Sequence, residues 1–311
     1  MLKRVVVFGG AGFLGSHVAD ALTDAGYTVN VYDIRPSPYL KESQKSTVAD
    51  ILDDQEVEKA VRDSDIVYNF SGISDIDEAS QKPLESVKAN ILGNAIILEA
   101  CRKAKVKRFI FASSIYVYSK AGSFYRSTKQ SCELLTENYH EVFGLLYTIL
   151  RYGSLYGPRA DERNFIYRIL KEALREKRIV RDGDGEEIRE YIHVYDAAKS
   201  SVDILSDEFV NQYVIITGNQ QMKVKDLLLM VREMLENKVE IEYKPTVTNY
   251  HYEVTPYIFA PKLAKRIVSK AYVDLGQGLY KCIEDIYMQL NTLPSYDGLM
   301  VKNNANKSAS V

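Results

Sequence analysis

The sequence predicts an α/β protein, a doubly wound parallel sheet with a smaller C-terminal α/β lobe. Three observations lead there. A β-branched run at residues 4–8 breaks directly into glycines and then into helical spacing. Short apolar runs then alternate with amphipathic segments to about Arg151, the pattern of a parallel sheet covered on both faces. After about residue 155 the alternation loosens, as expected where the chain leaves the sheet.

Each element has its own signal. Val5, Val6, Val7 and Phe8 suit a buried parallel strand. Residues 13–25 place Phe13, Leu14, Val18, Ala21 and Leu22 on helical spacing, and Gly26 ends that helix as a C′ glycine. Residues 27–33 form the second strand, and a third precedes Asp50. Residues 54–63 predict a helix and 65–70 a strand. Pro83 opens a long helix to about Lys105. Residues 109–113 predict a strand, 129–143 a helix and 146–151 another strand. Further on, 164–176, 224–235 and 278–290 are helical, 182–187 is a polar turn, and 213–216 is strand-like. Residues 244–261 hold three prolines and read as irregular. The Asn, Lys, Ser and Ala of residues 302–311 predict disorder. Residues 1–155, with returning segments at about 185–217, are expected to form one domain; 156–184 and 218–295 form the second lobe.

Composition narrows the function. The chain has 311 residues, 46% hydrophobic, with 40 basic and 42 acidic side chains. That balance gives no support for nucleic acid or an acidic membrane as the main partner. Cys101, Cys132 and Cys282 are far apart, which argues against a disulfide framework or a zinc site and for buried, reduced thiols. No metal site is expected. The N-terminal apolar run is too short for a signal peptide, and no stretch approaches the ~20 apolar residues of a membrane span. A cytoplasmic protein is expected.

The glycine turn carries the first chemical reading. Gly9-Gly10-Ala11-Gly12-Phe13-Leu14-Gly15 lies between the first strand and the first helix. Backbone N–H groups can approach a pyrophosphate there, and the helix N-terminus favours its charge. The strand–turn–helix context makes this a Rossmann dinucleotide site. Asp33 ends the second strand 18 positions after Gly15. A carboxylate there accepts both hydroxyls of the adenosine ribose and repels a 2′-phosphate, which points to NAD. Arg35 pulls the other way, because a nearby arginine can accommodate that phosphate. Asp50 and Ile51 are expected beside the adenine, and Ile34 is expected among the cofactor-binding residues.

The chain resembles the extended short-chain dehydrogenase/reductase family, and within it the NAD-dependent nucleotide-sugar epimerase/dehydratase group, including UDP-glucose 4-epimerase-like enzymes. The resemblance runs over about residues 3–220. Its marks are the GxxGxxG spacing of Gly9, Gly12 and Gly15, then Asn69-Phe70-Ser71-Gly72, then Pro83 with Asn90. Ala112-Ser113-Ser114 and the YxxxK match Tyr125…Lys129 follow. Leu150-Arg151-Tyr152, Leu155-Tyr156-Gly157-Pro158-Arg159 and Arg189-Glu190-Tyr191-Ile192-His193-Val194 complete the order. Phe8 stands where a Thr or Ser is usual. The resemblance implies that Phe70, Ser71, Gly72, Asn90, Ser113 and Tyr152 join the NAD site, and that Ser114, Tyr125 and Lys129 are catalytic. It places Ser74, Ser114, Tyr116, Ser154, Arg189, Glu253 and Tyr257 at the substrate, a nucleotide diphosphate sugar. It also implies a homodimer, through the helices at about 83–105 and 128–143.

The chemistry of those residues is consistent. Oxidising a sugar carbon requires removal of its hydroxyl proton. A free tyrosine, with a pKa of ~10, is a poor base near neutrality. A lysine at i+4 lies on the same helix face and favours the phenolate, as does the cationic nicotinamide. Lys129 can also hold the nicotinamide ribose, and Ser114 can position the reacting oxygen. In the resembled 4,6-dehydratases an Asp-Glu pair follows the catalytic Ser/Thr, and decarboxylases carry a glutamate nearby. Ile115 and Tyr116 stand there instead, which leaves epimerisation, at C4, as the expected reaction with Tyr125 as base. A net dehydrogenase or keto-sugar reductase is the alternative. A nucleotide-sensing protein without catalysis is a third reading, which the complete Ser114, Tyr125 and Lys129 set opposes. Three departures point to a specialised pocket. Tyr125 follows Ser114 by only eleven positions. Ser154 replaces a usual Asn. Tyr250 lies near the place of a usual diphosphate-binding Arg.

Overall fold

The computed structural model describes residues 3–245, 253, 265–267 and 273–292. Strand β1 (Arg4–Phe8) leads through the glycine turn into α1 (Phe13–Asp24), followed by β2 (Thr28–Asp33), β3 (Lys45–Val48), α2 (Asp54–Val61) and β4 (Ile66–Asn69). Then come α3 (Ile76–Gln81), α4 (Pro83–Ser86), a π-helical turn (Val87–Leu92) and α5 (Gly93–Ala104). Strand β5 (Arg108–Ser114), a 3-10 turn (Ile115–Tyr118), α6 (Ser123–Phe143) and β6 (Tyr147–Tyr152) complete the first half. The second half holds β7 (Ser154–Tyr156), α7 (Phe165–Glu176), β8 (Arg178–Asp182), β9 (Ile188–His193), α8 (Val194–Asp203) and β10 (Gln212–Ile216). After these come β11 (Gln221–Lys223), α9 (Val224–Met234), β12 (Glu240–Lys244), β13 (Lys265–Ile267) and α10 (Leu275–Thr292).

The central sheet is parallel throughout, in the order β13-β10-β6-β5-β4-β1-β2-β3. Read from the other edge, the first six strands run 3-2-1-4-5-6, the doubly wound Rossmann order. Alternation along β1 sends Val5 and Val7 into one apolar layer and Val6 and Phe8 into the other. The first layer is covered by Val18 and Leu22 of α1 with Ala197 and Ala198 of α8. The second is covered by Val57 of α2, Ile97, Leu98 and Cys101 of α5 and Cys132 of α6. Both faces are therefore buried, as a parallel sheet requires. A third apolar cluster joins α7, α9 and α10 through Ile169, Leu170, Leu227, Val231, Leu279 and Ile286. Around it lie two small sheets, β11-β9-β7 and β12-β8.

The order of strands brings the functional turns together. Phe8 pairs with Tyr32 on one side and Asn69 on the other, so the chain leaves β1, β2 and β4 at one level. The strand order reverses between β1 and β4, and crevices at that point are where such sheets bind ligands.

The structure corrects several expected boundaries. Helix α6 starts at Ser123, six residues before the expected start, behind a left-handed Gly122 with no side-chain cap. No start signal marks it in the sequence. The expected helix over 83–105 contains the π-helical turn at Val87–Leu92. Helices α3 and α8 and strands β7, β8, β9, β11 and β13 add to the elements the sequence predicts. For α3 a signal existed: Asp75 caps it by accepting the Glu78 N–H at 2.7 Å. Strand β12 reaches Lys244, the first residue of the segment expected to be irregular, and pairs with β8. Tyr257 and residues 302–311 lie outside the described residues, as do 246–252 and 254–261.

Candidate active site

A cavity of about 880 Å³ opens along the C-terminal ends of β1, β2, β4, β5 and β6. At one end the glycine turn folds tightly on itself. Gly9 has φ +73°, and a Cβ there would lie 2.7 Å from the Phe70 carbonyl carbon and the Ser71 nitrogen. A Cβ on Gly15 would sit 2.2 Å from the Gly9 carbonyl oxygen. Gly15 is thus required by the approach of helix to turn, and Gly9 by the approach of two loops. Helix α1 begins behind Gly12 with no side-chain cap and no acidic residue in its first turn. Its leading N–H groups remain available to an anion, which is the arrangement a pyrophosphate needs.

Asp33 is fixed at the other side of this turn. Its Oδ2 accepts the Ala11 N–H at 3.0 Å and its Oδ1 the Arg35 N–H at 3.3 Å. Asp50 Oδ1 accepts the Leu52 N–H at 2.9 Å, and its carbonyl accepts the Tyr32 hydroxyl at 2.9 Å. These bonds aim both carboxylates along the wall where Ile34, Arg35 and Ile51 also stand. The uncapped helix end, the acidic ribose position and the cavity's size fit a dinucleotide.

The opposite wall is built from β5, β6 and α6. Ser114 and Tyr152 are register partners at the ends of β5 and β6. The Ser114 Oγ accepts the Tyr116 N–H at 3.3 Å, which caps the 3-10 turn and fixes the hydroxyl at the cavity. Tyr125 and Lys129 lie one turn apart on α6, and both line the cavity. The Lys129 ammonium donates to the Ala112 carbonyl at 2.7 Å and sits 4.9 Å from the Phe111 ring centre. It is 5.8 Å from the Tyr125 ring centre. Burial pushes the Lys129 ammonium below the usual lysine range, and the neighbouring Cys132 and Glu133 oppose that drop. Tyr152 is shaped for packing: its hydroxyl meets Ser201 Oγ at 2.6 Å, and burial raises it well above the ordinary phenol range.

The expected residues divide into those that line this cavity and those that do not. Gly9, Gly12, Phe13, Leu14, Gly15, Asp33, Ile34, Arg35, Asp50 and Ile51 do, as do Phe70, Ser71, Gly72, Ser74, Ser113, Ser114, Tyr125, Lys129 and Tyr152. Asn90 stands one layer behind. Its Oδ1 accepts the Ile73 N–H at 2.7 Å, and its Nδ2 donates to the Ile73 carbonyl and to Thr128 Oγ1. It ties the Phe70–Ile73 loop to α6. Tyr116 lies edge-on to Tyr125, with ring centres 6.2 Å apart, outside the lining. Ser154, Arg189 and Glu253 also fall outside it. Arg189 is buried on β9 and donates to the carbonyls of Ile188 and Glu253, at 3.0 and 3.5 Å, which brings those two expected residues together.

Five polar or charged lining residues were not expected from the sequence: Glu85, Lys88, Asp161, Arg163 and Asn164. The last three come from the segment between β7 and α7. Asn164 caps α7 by accepting the Tyr167 N–H at 3.1 Å, and that capping position was its only legible signal. Arg163 pairs with Asp161 at 2.5 Å and holds its carboxyl below the usual range. No pattern in the sequence carries this segment back across the cleft.

The comparisons with known proteins agree with this layout. The profile of the NAD dependent epimerase/dehydratase family matches residues 5–215. A UDP-N-acetyl-alpha-D-glucosaminuronate decarboxylase of Bacillus cytotoxicus is 29% identical over 272 residues, 79% of this chain and 84% of the relative. A putative UDP-glucose 4-epimerase of Methanocaldococcus jannaschii is 27% identical over 305 residues, 90% of this chain and 97% of that one. The structure of UDP-glucose 4-epimerase of Thermotoga maritima with UDP-glucose superposes at a TM-score of 0.81 with 26% identity, covering 93% of this chain and 100% of that one. UDP-glucuronic acid 4-epimerase of Bacillus cereus with UDP-glucuronic acid and NAD gives 0.78 and 26%, over 92% and 100% of the two chains. The family match thus runs from the first strand of the sheet through the cavity walls into β10, and the chain belongs to the NAD-dependent epimerase/dehydratase family.

Proposed function

We propose that this protein is an epimerase acting on a nucleotide diphosphate sugar at C4, with Tyr125 as the base. The observation that carries the reading is the convergence of Ser114, Tyr125 and Lys129 on the cavity that also holds the glycine turn and Asp33. Bound NAD supplies reversible acceptance of hydride at the sugar carbon. Tyr125 takes the C4 hydroxyl proton and returns it after the keto sugar has turned over. Lys129 places its charge beside the Tyr125 ring and favours the phenolate. Ser114 holds the reacting oxygen. Arg189, buried outside the cavity against two backbone carbonyls, does not take the diphosphate role expected of it; besides Lys129, the cations that line the cavity among the described residues are Arg35, Lys88 and Arg163.

Ile115 and Tyr116 supply no carboxylate beside Ser114; elimination of water would need one, and the resembled decarboxylases carry a glutamate nearby. Two 4-epimerase structures that superpose over nearly the whole chain support the same choice. The test is to incubate the purified holoenzyme with a panel of nucleotide diphosphate sugars and read products by NMR, with and without added NAD. C4 epimers formed without added cofactor support the reading. Net reduced cofactor, or release of carbon dioxide, would replace it with a dehydrogenase or a decarboxylase.

A further inference from the structure

Beneath the floor of the cavity lies a buried polar chain that the proton-transfer set does not use. Glu133, on α6 one turn after Lys129, accepts the Ser113 hydroxyl at 2.5 Å. It also takes two bonds from Arg151 of β6, Nε to Oε1 at 2.9 Å and Nη2 to Oε2 at 2.6 Å. Arg151 is clamped between the rings of Tyr118 and Tyr213, 4.5 and 4.3 Å from their centres, and also donates to the Tyr118 hydroxyl. Tyr213 in turn donates to Glu137. Ser113, Glu133 and Arg151 are all buried. A desolvated ion pair of this kind is weak evidence for stability, so its position invites another role.

We propose that Glu133 is a positioning residue for the proton-transfer pair: it keeps the buried Lys129 charged and anchors the Ser113–Ser114 end of β5. The inference deepens the Tyr125/Lys129 reading and rests on it. The groups facing Lys129 from its own helix are Tyr125, Cys132 and Glu133; from β5 it meets the Ala112 carbonyl and the Phe111 ring. An ammonium so enclosed loses its proton unless a negative charge is near. Cys132 cannot supply that charge at neutral pH, because burial pushes its thiol up to about 12. Glu133 is left to supply it. Arg151 locks the carboxylate in two-point geometry and offsets part of its charge, so what acts on Lys129 is the oriented pair, with the carboxylate on the same helix as the lysine.

The experiment follows the Lys129 side chain directly. NAD-loaded protein carrying carbon-13 at the lysine ε position is titrated by NMR, with Lys129→Arg assigning the signal. Turnover of the sugar that the panel identifies is measured on the same samples. Glu133→Gln should lower the pH at which Lys129 loses its proton by about one unit, and Glu133→Asp should restore it. Turnover at neutral and alkaline pH should fall with it, at unchanged sugar KM. Because Glu133→Gln strands a buried arginine, Glu133→Gln/Arg151→Met is the second variant; it removes both charges, so Lys129 should still titrate lower than in the unaltered protein but by less than in the single variant. An unmoved Lys129 titration in either folded variant overturns the proposal. A lowered titration with unchanged turnover instead overturns the catalytic role of Lys129, and with it the reading on which the proposal stands.

Discussion

At the scale of single residues, position in the fold decides function more than residue type. Asp33 and Asp161 both line the cavity, yet only Asp33 is held by the glycine turn itself, through the Ala11 N–H. Asp33→Ala should therefore weaken NAD binding by about 2 kcal/mol, the scale of a charge-assisted bond, and narrow the preference over NADP. Fluorescence titration with both nucleotides checks this; tighter NADP binding by the unaltered protein would make Arg35 a phosphate ligand instead. Tyr125→Phe removes the base while leaving the ring in place, and turnover should fall by about 10²–10⁴-fold with NAD affinity unchanged, as stopped assays and the same titration would show. The glycines, Asp33, Ser114, Tyr125 and Lys129 were legible because their spacing is local. Asp161 and Arg163 were not, because they lie in the irregular segment between β7 and α7, where no periodic pattern says which way a side chain points.

Elements carry a second layer of the account. The alternation of strand and helix was legible because buried parallel strands leave continuous apolar runs. The start of α6 was hidden, since Gly122 and Ser123 announce no cap. The π-helical turn was hidden too: it lets Asn90 reach both Ile73 and Thr128, a requirement that helical spacing does not encode. The expected assembly helices divide clearly. Leu98 faces the sheet and is fully buried, whereas Leu84, Val87, Leu134 and Val142 remain exposed, Leu84 by 75% and Val142 by 69%. Exposed apolar side chains grouped on two adjacent helices suit a partner surface. We propose that a second copy of the chain covers it. Light scattering should give a dimer at micromolar concentration, and Leu134→Glu with Val142→Glu should give a monomer; a monomeric unaltered protein would contradict the assignment.

On the scale of the whole molecule, the two halves meet over two buried histidines, with the half-exposed Tyr195 ring against both. His17 of α1 packs edge-on to Tyr195, whose ring also meets His193, and His17 Nε2 contacts the Pro158 carbonyl at 3.0 Å. Burial is the main reason that both imidazoles are lowered to about 4. Between about 4 and the ordinary imidazole value of 6.5 the unfolded chain holds more protons than the folded one, so stability rises with pH across that window and is lost as pH falls. The loss should reach on the order of 3 kcal/mol per histidine. Urea midpoints measured at neutral and at mildly acidic pH check it, and equal midpoints would count against the cluster's role. The His17→Gln variant should flatten the dependence.

The central claim is that the same carbon gives up its hydrogen and receives it back within one closed site. A nucleotide diphosphate sugar deuterated at C4 tests that most directly. The sugar chosen is the one that the NMR panel identifies. The account predicts a C4 epimer that retains its deuterium at C4, formed by the holoenzyme with no added cofactor. Deuterium accumulating on released reduced cofactor, or exchanged for solvent hydrogen in the product, would contradict it.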